Sequence, residues 1–476
     1  MRKYYFVLSL LLILQVTGHA QAKKIAGLWE GKINTGVALR IVFHFNLNAD
    51  GSYSATMDSP DQGAKGIVCS SVQLKEDSVR VTVESIKGSY VGSLSSDSLI
   101  TGKWMQGPSV FPLNLKQVTR LTPLNRPQTP KPPYAYNSED ISYTNKNGSI
   151  HYGATLTYPK TGGPFATAIL ITGSGQQDRD ESLFEHKPFA VIADYLTTKG
   201  FAVLRVDDRG VGQTNGEVQT ATSLDFAGDV EAGLQYLKTR KEVNKNKLGL
   251  IGHSEGGLIA SIVAARNKDI DFVIMLAGPG VKGSDLLTEQ AGAVIQGYGI
   301  PATTAAAYKP IYKTMIETAI SEKDTAAAFA KANTAFQQWK VAQSETVLKT
   351  LGFTGEQEDV KMMRNLLAAF ASPWMKYFLS TDPQPLMQQF NCKVLALNGS
   401  KDVQVIAAQN LPGIKAAQAK SKSKQYETLQ LEGLNHLFQH CKTCSVAEYG
   451  VLEESFAPEA LEKMGNWLQQ YVQSDK

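Results

Sequence analysis

The stretch that decides the fold is Gly252–Gly257, which reads Gly-His-Ser-Glu-Gly-Gly and stands between the apolar run Leu248–Ile251 and the small, apolar run Leu258–Ala265. This order predicts a strand, a sharp turn and a helix. A nucleophilic serine in such a turn needs glycines two residues before and after it, because the backbone is tight there and strand and helix approach closely. The pattern alone is a weak signal in a chain with 40 glycines, but its context favours a nucleophile over a plain glycine-rich turn. We therefore predict that Ser254 is a nucleophile.

Two residues downstream fit the partners that such a serine requires. A serine hydroxyl is a poor nucleophile, so a base must take its proton and an acid must orient the base. After a turn of this kind the acid comes first in the chain and the histidine second. Asp402 follows the predicted strand Lys393–Asn398, and His436 follows the predicted strand Tyr426–Leu431. Both lie at carboxyl ends of strands, which predicts a triad of Ser254, Asp402 and His436.

Other residues compete for the roles assigned to His436 and Asp402. His440 lies four residues beyond His436, and we favour His436 because of its position in a loop. Asp207 and Asp208 also follow a strand, but they precede the serine. We expect them to be structural, and we expect Arg209 in the same turn to join loops through a carboxylate.

The tetrahedral intermediate of acyl transfer needs two backbone N–H donors. Glu255 supplies the first by its position after the serine. The strand Ile169–Thr172 runs into a glycine-rich loop, in which Ser174 is the expected second donor and Gly175 the alternative. The charged residues that follow, Asp178–Glu181, fit either a site for a cationic substrate group or a solvated charge run.

From residue 134 onwards, apolar strands alternate with helical segments, a pattern typical of βαβ units and a mostly parallel sheet flanked by helices. After a hairpin at Ile141–Tyr158, the predicted strands are Ala166–Thr172, Ala202–Val206, Leu248–Gly252, Phe272–Ala277, Lys393–Asn398 and Tyr426–Leu431. Residues 281–385 are alanine-rich and helical in period, as in Ala326–Trp339 and Asp359–Ala371. We predict a catalytic core over 134–280 and 386–476, with 281–385 as a helical cap over the carboxyl edge of the sheet, where such sheets bind ligands.

The amino-terminal part of the chain has a different pattern of apolar and polar residues. Residues 23–121 consist of short alternating runs such as Ser78–Val83, which predict a separate small all-β domain, a barrel or a sandwich. Prolines crowd the stretch 122–133, which predicts a stiff linker. Residues 1–22 have the basic start, short apolar run and Ala-Gln-Ala site of a cleaved secretory signal peptide. We therefore expect a periplasmic or secreted product without stable membrane insertion.

The composition of the chain excludes several classes of protein and of binding partner. The chain has 476 residues, of which 43% are hydrophobic and 19% charged, and this excludes a disordered protein. Its net charge of +4 is too small to favour nucleic acid or an anionic membrane surface. Cys441 and Cys444 predict a local disulfide or two inert thiols, because no second cysteine pair or spaced histidine pair completes a zinc ligand set. We predict no metal.

Four stretches together resemble the α/β-hydrolase family: Gly173–Asp180, Asp207–Gly210, Gly252–Gly257 and Asn435–His436. More narrowly, they are similar to a bacterial carboxylesterase subgroup close to serine-aminopeptidase-like hydrolases. The resemblance covers about residues 134–476. Many relatives carry His-Gly before the oxyanion loop where this chain has Thr172-Gly173, a departure that leaves the amide donor in place and affects finer loop contacts.

The resemblance implies an α/β-hydrolase fold with a helical cap, the triad Ser254, Asp402 and His436, and no cofactor. The amino-terminal β domain resembles an accessory module found ahead of such esterases. We therefore expect a serine esterase that acts on small-molecule esters through an acyl-enzyme. An amidase or aminopeptidase with the same triad is the alternative within hydrolases. A binding protein on an inactive scaffold is the alternative from another class, and the presence of all three triad residues in order argues against it; a dehalogenase would need Asp in place of Ser254.

Overall fold

The structure is a computed structural model that describes residues 25–35, 37–107, 109–353 and 355–473. The predicted signal peptide, residues 1–22, lies outside the described residues. The chain divides into two compact units: the first extends to Thr122 without Asp61–Gly63, and the second comprises Asp61–Gly63 and Pro123–Lys476.

The first unit is an antiparallel sheet, which confirms the prediction of a separate all-β domain. In its described residues the sheet has ten strands in the order β4-β3-β2-β1-β10-β8-β7-β6-β5, with β9 paired to β8. Buried and exposed side chains alternate along β6, as the sequence pattern predicts, and large aromatic side chains such as Trp29 and Trp104 fill the interior. The strands are β1 Gly27–Asn34, β2 Ala38–Leu47, β3 Tyr53–Ser59, β4 Ala64–Val68, β5 Ser71–Lys75, β6 Ser78–Val83, β7 Gly88–Ser96, β8 Leu99–Gln106, β9 Ser109–Pro112 and β10 Leu115–Val118.

The second unit contains an eight-stranded sheet in the order β11-β12-β14-β13-β15-β16-β17-β18. β12 runs antiparallel to both of its neighbours, and the remaining pairs are parallel. The chain leaves β13 to form β14 on one side and returns to form β15 on the other. The carboxyl ends of β13 and β15 therefore meet at a switch point of the sheet, where such folds bind ligands. The strands are β11 Asn137–Thr144, β12 His151–Tyr158, β13 Phe165–Ile171, β14 Ala202–Val206, β15 Val243–His253, β16 Ile270–Leu276, β17 Lys393–Gly399 and β18 Tyr426–Leu431.

Helices cover both faces of this sheet. Along β13, Ala168 and Leu170 pack in the core on the side of α1 and α12, whereas Ile169 and Ile171 pack in the core on the side of α2, α3 and α11. This two-sided burial explains why the strand reads as a continuous apolar run. The helices of the core are α1 Pro188–Thr198, α2 Ser223–Leu237, α3 Glu255–Arg266, α11 Ala407–Gln418 and α12 Pro458–Leu468.

The region between β16 and β17 is helical throughout its described regular structure, and together with the sheet it confirms the predicted α/β fold with a helical cap. The predicted helix at Ala326–Trp339 is observed at Thr325–Val341, where the Asp324 side chain caps the first turn by accepting the Ala327 N–H at 2.7 Å. The helices here are α4 Gly283–Gly297, α5 Ala302–Ser321, α6 Thr325–Val341, α7 Glu345–Thr350, α8 Glu356–Phe370, α9 Pro373–Ser380 and α10 Gln384–Met387. None of the described helices combines the length and apolar character that a membrane span requires.

The proline-rich stretch 122–133, for which the sequence predicts a stiff linker, is held in place by Arg126. The Arg126 guanidinium donates to the backbone carbonyls of Phe184, Gly450 and Leu452 at 2.7–3.1 Å. From Pro123 onwards the stretch belongs to the second unit. Its prolines prevent a helix, and Arg126 supplies the anchor that a count of prolines does not reveal.

Cys441 and Cys444 form a disulfide, while Cys69 and Cys392 are buried free thiols. We expect the double variant Cys441→Ser/Cys444→Ser to lower the melting temperature by only a few degrees. A bond with a sequence separation of 3 closes a very short loop and stabilises by about 2 kcal/mol or less on the chain-entropy model. The Glu448 carboxylate also accepts backbone N–H groups of this loop and holds its shape without the bond. Thermal unfolding followed by circular dichroism, with the unchanged protein in reductant as the control, checks this; a drop of more than about 10 °C would contradict it.

Candidate active site

Ser254 occupies the turn between β15 and α3 with φ 53° and ψ −122°, a conformation that is strained for a residue other than glycine. The glycines on either side are required by close approach. A Cβ on Gly252 would lie 2.1 Å from the carbonyl oxygen of Gly256, and a Cβ on Gly256 would lie 2.2 Å from that of Ile171. The turn is held by a hydrogen bond from the Ser254 N–H to the Leu276 carbonyl at 2.8 Å. The side chain is thus presented at the carboxyl edge of the sheet by backbone geometry alone.

His436 and Asp402 lie together, as their positions after neighbouring strands predict. The His436 Nδ1 is 2.9 Å from Asp402 Oδ2, and both side chains are buried. The carboxylate is fixed by three further donors: the backbone N–H groups of Gln404 and Val405 bind Oδ1, and the Asn398 amide binds Oδ2. A carboxylate held in this way accepts the Nδ1–H and leaves Nε2 as the basic nitrogen of the ring.

Ser254 and His436 line one cavity of about 500 Å³. No hydrogen bond joins the Ser254 hydroxyl to His436 or to any other described residue. Such contacts are often long or misaligned before substrate binds and tighten only in the complex. The structure therefore brings Asp402 and His436 into direct contact and places Ser254 beside them without a direct bond.

The competing residues lie outside this cavity. The His440 ring is exposed and pairs with Glu454 and Glu459, each at 3.0 Å. Asp207 accepts two hydrogen bonds from the Arg179 side chain, at 2.6 and 3.0 Å, and one from the Gln213 N–H at 3.0 Å. Its carboxylate is thus occupied by structural contacts.

Arg209, in the same turn as Asp207, joins two segments through a carboxylate, as we expected. Its guanidinium binds Asp229 of α2 at 2.8 and 3.0 Å. Asp208 has a comparable role, because it accepts the Thr172 hydroxyl at 2.7 Å and the Gln177 N–H at 2.9 Å and so fixes the loop after β13. Burial raises the pKa of Asp208 to about 7, against the lowering effect of these two bonds.

The backbone donors predicted for the oxyanion come from two segments, the loop after β13 and the start of α3. Gly173 is so close that a Cβ on it would be 3.2 Å from the Ser254 Cβ, but its N–H is already bound to Glu181 Oε1 at 2.8 Å. Among the described residues, the N–H groups of Ser174, Gly175 and Glu255 have no acceptor. No described acceptor therefore occupies the N–H groups of the two predicted donors or of Gly175, and Ser174 and Gly175 line the same cavity as Ser254.

The Glu255 side chain has a role that local sequence patterns did not reveal. The carboxylate is 2% exposed and accepts three hydrogen bonds, from the hydroxyls of Ser174 at 2.8 Å and Ser223 at 2.6 Å and from the indole N–H of Trp374 at 2.8 Å. These donors belong to the oxyanion loop, to α2 and to α9 of the cap. One buried carboxylate thus ties the cap to the loop that contains Ser174, the predicted oxyanion donor.

Two members of the charge run Asp178–Glu181, Asp180 and Glu181, form ion pairs within the protein and are not a solvated charge run. Asp180 pairs with Arg205 and Lys187, and Glu181 pairs with His253. Alternating charges in a loop suggest solvent exposure, but here the fold supplies a partner for each buried carboxylate.

A second cavity of about 350 Å³ adjoins the first and shares Gly173, Gly175, Gln176 and Trp374 with it. Tyr143, Tyr152 and Phe226 contribute aromatic rings to its wall. No cluster of side chains suited to a metal ion occurs among the described residues.

The comparisons with known proteins agree with this architecture. The family model described as serine aminopeptidase, S33, matches residues 185–365, which include Ser254. Esterase EstD of Thermotoga maritima is 30% identical over 158 residues, which cover 33% of this chain and 36% of EstD. The putative hydrolase YtaP of Bacillus subtilis is 32% identical over 148 residues, 27% of this chain and 49% of YtaP. The matched regions thus span less than half of either relative.

Among solved structures, the Pyrococcus furiosus esterase Pf2001 aligns with a TM-score of 0.44 at 14% identity, covering 73% of this chain and 98% of the esterase. The strained serine turn and the order of the sheet agree with the family match and the esterase relatives. Together these findings support the α/β-hydrolase superfamily and its esterase-like subgroup.

Proposed function

We propose that the protein is a serine hydrolase that cleaves carboxylic esters of small molecules with short acyl groups. One observation carries the proposal: Ser254, on its strained turn, lines the same cavity as His436, whose ring is oriented by Asp402. A nucleophile, a base and an orienting acid are the minimum set for acyl transfer through a covalent intermediate. The similarity to Esterase EstD supports an ester in preference to another acyl compound.

In the first half of the reaction, His436 Nε2 takes the proton of the Ser254 hydroxyl while Oγ bonds to the carbonyl carbon. The electron pair of the carbonyl moves onto its oxygen, which the N–H groups of Ser174 and Glu255 stabilise. When the intermediate collapses, the alcohol departs with the proton from His436 and the acyl group stays on Ser254. Asp402 keeps the proton of the ring on Nδ1 and stabilises the imidazolium that forms.

In the second half, a water molecule gives a proton to His436 and its oxygen bonds to the acyl carbon. The second tetrahedral intermediate uses the same two N–H donors. Its collapse releases the carboxylic acid and returns the proton from His436 to Ser254 Oγ. The cycle consumes one ester and one water, and every proton passes through His436 Nε2.

The cap limits the size of the substrate in this proposal. Six residues of α4 and α9 line the cavity beside Ser254, and all but Gln290 have largely apolar side chains: Leu286, Leu287, Trp374, Met375 and Phe378. An apolar wall of this kind stabilises each buried methylene by about 0.8 kcal/mol, or roughly fourfold in kcat/KM, until the acyl chain fills the space. Beyond that length, overlap with the wall reverses the gain.

We therefore expect kcat/KM for p-nitrophenyl esters to rise to a maximum at an acyl length of about four carbons and then to fall. Met375→Ala should move the maximum to longer chains, since it removes part of the wall. Met362→Ala, the same substitution at an exposed position of α8, should leave the profile unchanged. Rates that keep rising through long-chain esters, or cleavage of folded proteins, would show that the cap does not restrict access.

Two measurements test the activity itself. A fluorophosphonate should add covalently to Ser254, detected by peptide mass spectrometry, and p-nitrophenyl butyrate should be hydrolysed faster than aminoacyl p-nitroanilides. Labelling together with faster anilide cleavage would identify the amidase or aminopeptidase that the matched family description favours. A protein that is neither labelled nor active would be a binding protein on a hydrolase scaffold.

We also propose that the protein acts in the periplasm or outside the cell. This rests on the features of a signal peptide in residues 1–22. Amino-terminal sequencing of the protein exported by a bacterial host should begin at Lys23. An intact amino terminus on exported or retained protein would contradict it.

A further inference from the structure

A second histidine–carboxylate pair lies directly beside the first. His253, the last residue of β15, has Nδ1 2.9 Å from Glu181 Oε1 and Nε2 3.0 Å from the backbone carbonyl oxygen of His436. Both side chains are buried. The rings of His253 and His436 have centroids 4.8 Å apart. The reaction described above makes no use of this pair.

The contacts fix the protonation of His253. A backbone carbonyl oxygen only accepts hydrogen bonds, so Nε2 must carry a proton. Glu181 Oε1 also accepts the Gly173 N–H at 2.8 Å, and a proton must lie between this oxygen and Nδ1 for the two side chains to bond. The raised pKa of His253 favours that proton on the ring, which then carries two N–H groups and a positive charge.

The charged groups around the ring agree with this assignment. Burial opposes the charge, but the Glu181 carboxylate, the His436 carbonyl and the charge of Asp402 outweigh it and raise the pKa of His253 above its ordinary value. On its remaining side the ring meets the edge of Phe438, which is apolar. The imidazolium thus has an anionic partner on one side and the triad on the other.

We propose that Glu181 and His253 are a positioning pair, which holds the oxyanion loop and the His436 loop in place around Ser254. Glu181 binds the N–H of Gly173, the residue before the expected donor Ser174. His253 binds the backbone of the histidine that serves as the base, and it directly precedes the nucleophile in the chain. One ion pair thereby joins the oxyanion loop, the base and the nucleophile. Because small displacements of oriented groups lower rates strongly, we expect loss of this pair to slow the reaction. The inference rests on the proposed function for its effect on rate, but not for the charge on His253.

The first test does not require turnover. Nuclear magnetic resonance of the full protein with 15N-labelled histidine should show two protonated ring nitrogens for His253 at pH 7, with the signal assigned by its loss in His253→Gln. A ring with a single N–H at pH 7 would overturn the proposal. This readout is unaffected if ester hydrolysis proves to be the wrong reaction.

The second test measures rate in Glu181→Gln, whose amide can still accept the Gly173 N–H and donate to a neutral His253. We expect kcat for p-nitrophenyl butyrate to fall about 10- to 100-fold, which is no more than the fall in kcat that removal of an oxyanion donor causes. KM should change by less than about threefold. Because the pKa of His253 is raised by Glu181, the pair persists below that pKa and is lost as pH rises through it. The alkaline fall of kcat should therefore begin at lower pH in the variant.

Asp359→Asn is the matched control, because it breaks another buried ion pair, with Lys340 in the cap, without touching either loop. Its kcat and pH profile should stay close to those of the unchanged protein. If Glu181→Gln retains full kcat with an unshifted pH profile, the pair has no positioning role. If Glu181→Gln does not fold, His253→Gln supplies the same kinetic comparison, and a kcat equal to that of the unchanged protein would again reject the proposal.

Discussion

Replacing Ser254 by alanine is expected to lower kcat by a factor of about 10⁴ to 10⁶ while the protein stays folded. The hydroxyl is the proposed nucleophile, and no other described residue bonds to it, so its removal breaks no structural contact. Alanine has the same Cβ as serine and lacks only the hydroxyl, so it tolerates φ 53° about as well. The loss should therefore appear in rate and not in stability.

The measurement is ester hydrolysis by the purified variant, together with its melting temperature. Ser261→Ala is the matched control, because Ser261 lies two turns further along α3, is buried, and among the described residues its hydroxyl binds only the Gly257 carbonyl. The control should keep most of the rate. Hydrolysis by Ser254→Ala at a rate near that of the unchanged protein would remove the basis of the proposed mechanism.

Asp402→Asn is expected to lower kcat by about 10⁴. The asparagine fits the same site, but its amide can donate to Nδ1 and so favour the ring tautomer with the proton on Nε2. That tautomer cannot accept the proton of Ser254. The three donors to Asp402, from Asn398, Gln404 and Val405, also prefer an acceptor that carries a full charge.

Asp207→Asn provides the comparison, since it changes an aspartate that also follows a strand but binds Arg179 and the Gln213 N–H. We expect it to lower stability more than rate, because it weakens a largely buried ion pair. The rates of both variants on one ester and their unfolding temperatures decide between the two aspartates. A harmless Asp402→Asn beside a strongly impaired Asp207→Asn would mean that the acid has been assigned to the wrong residue.

The parts of this molecule that sequence predicts well are those set by local geometry. The sequence predicts the strand Tyr426–Leu431 with the bounds that the structure has. A tight turn requires the glycines at 252 and 256, and at both positions a Cβ would collide with the backbone. The spacing of apolar residues, the residue types in a turn and the order of residues along the chain can all be read directly from the sequence.

The contacts that sequence analysis missed join distant parts of the chain. Glu181 and His253 are 72 residues apart, and Trp374 and Glu255 are 119 residues apart. A glutamate in a charged loop looks solvated because solvation is the usual state of such residues. The fold brings His253 to Glu181 and the Trp374 indole to Glu255, and no local sequence pattern predicts these contacts. Glu255 shows this limit, because the sequence predicts a role for its backbone N–H and predicts none of the contacts of its side chain.

The way in which the cap is attached has a consequence for how such enzymes diversify. It leaves the sheet after β16 and returns at β17, and these two strands pair directly, from Phe272 with Lys393 to Leu276 with Leu397. The cap can therefore be lengthened, shortened or exchanged in evolution without a change in strand order, and the serine, histidine and aspartate keep their places. The constraint on such an exchange concentrates at Trp374, because any replacement cap must offer Glu255 a new donor or leave a buried carboxylate short of one partner. Homologues with divergent caps should thus preserve a hydrogen-bond donor at this single point even where nothing else in the cap can be aligned.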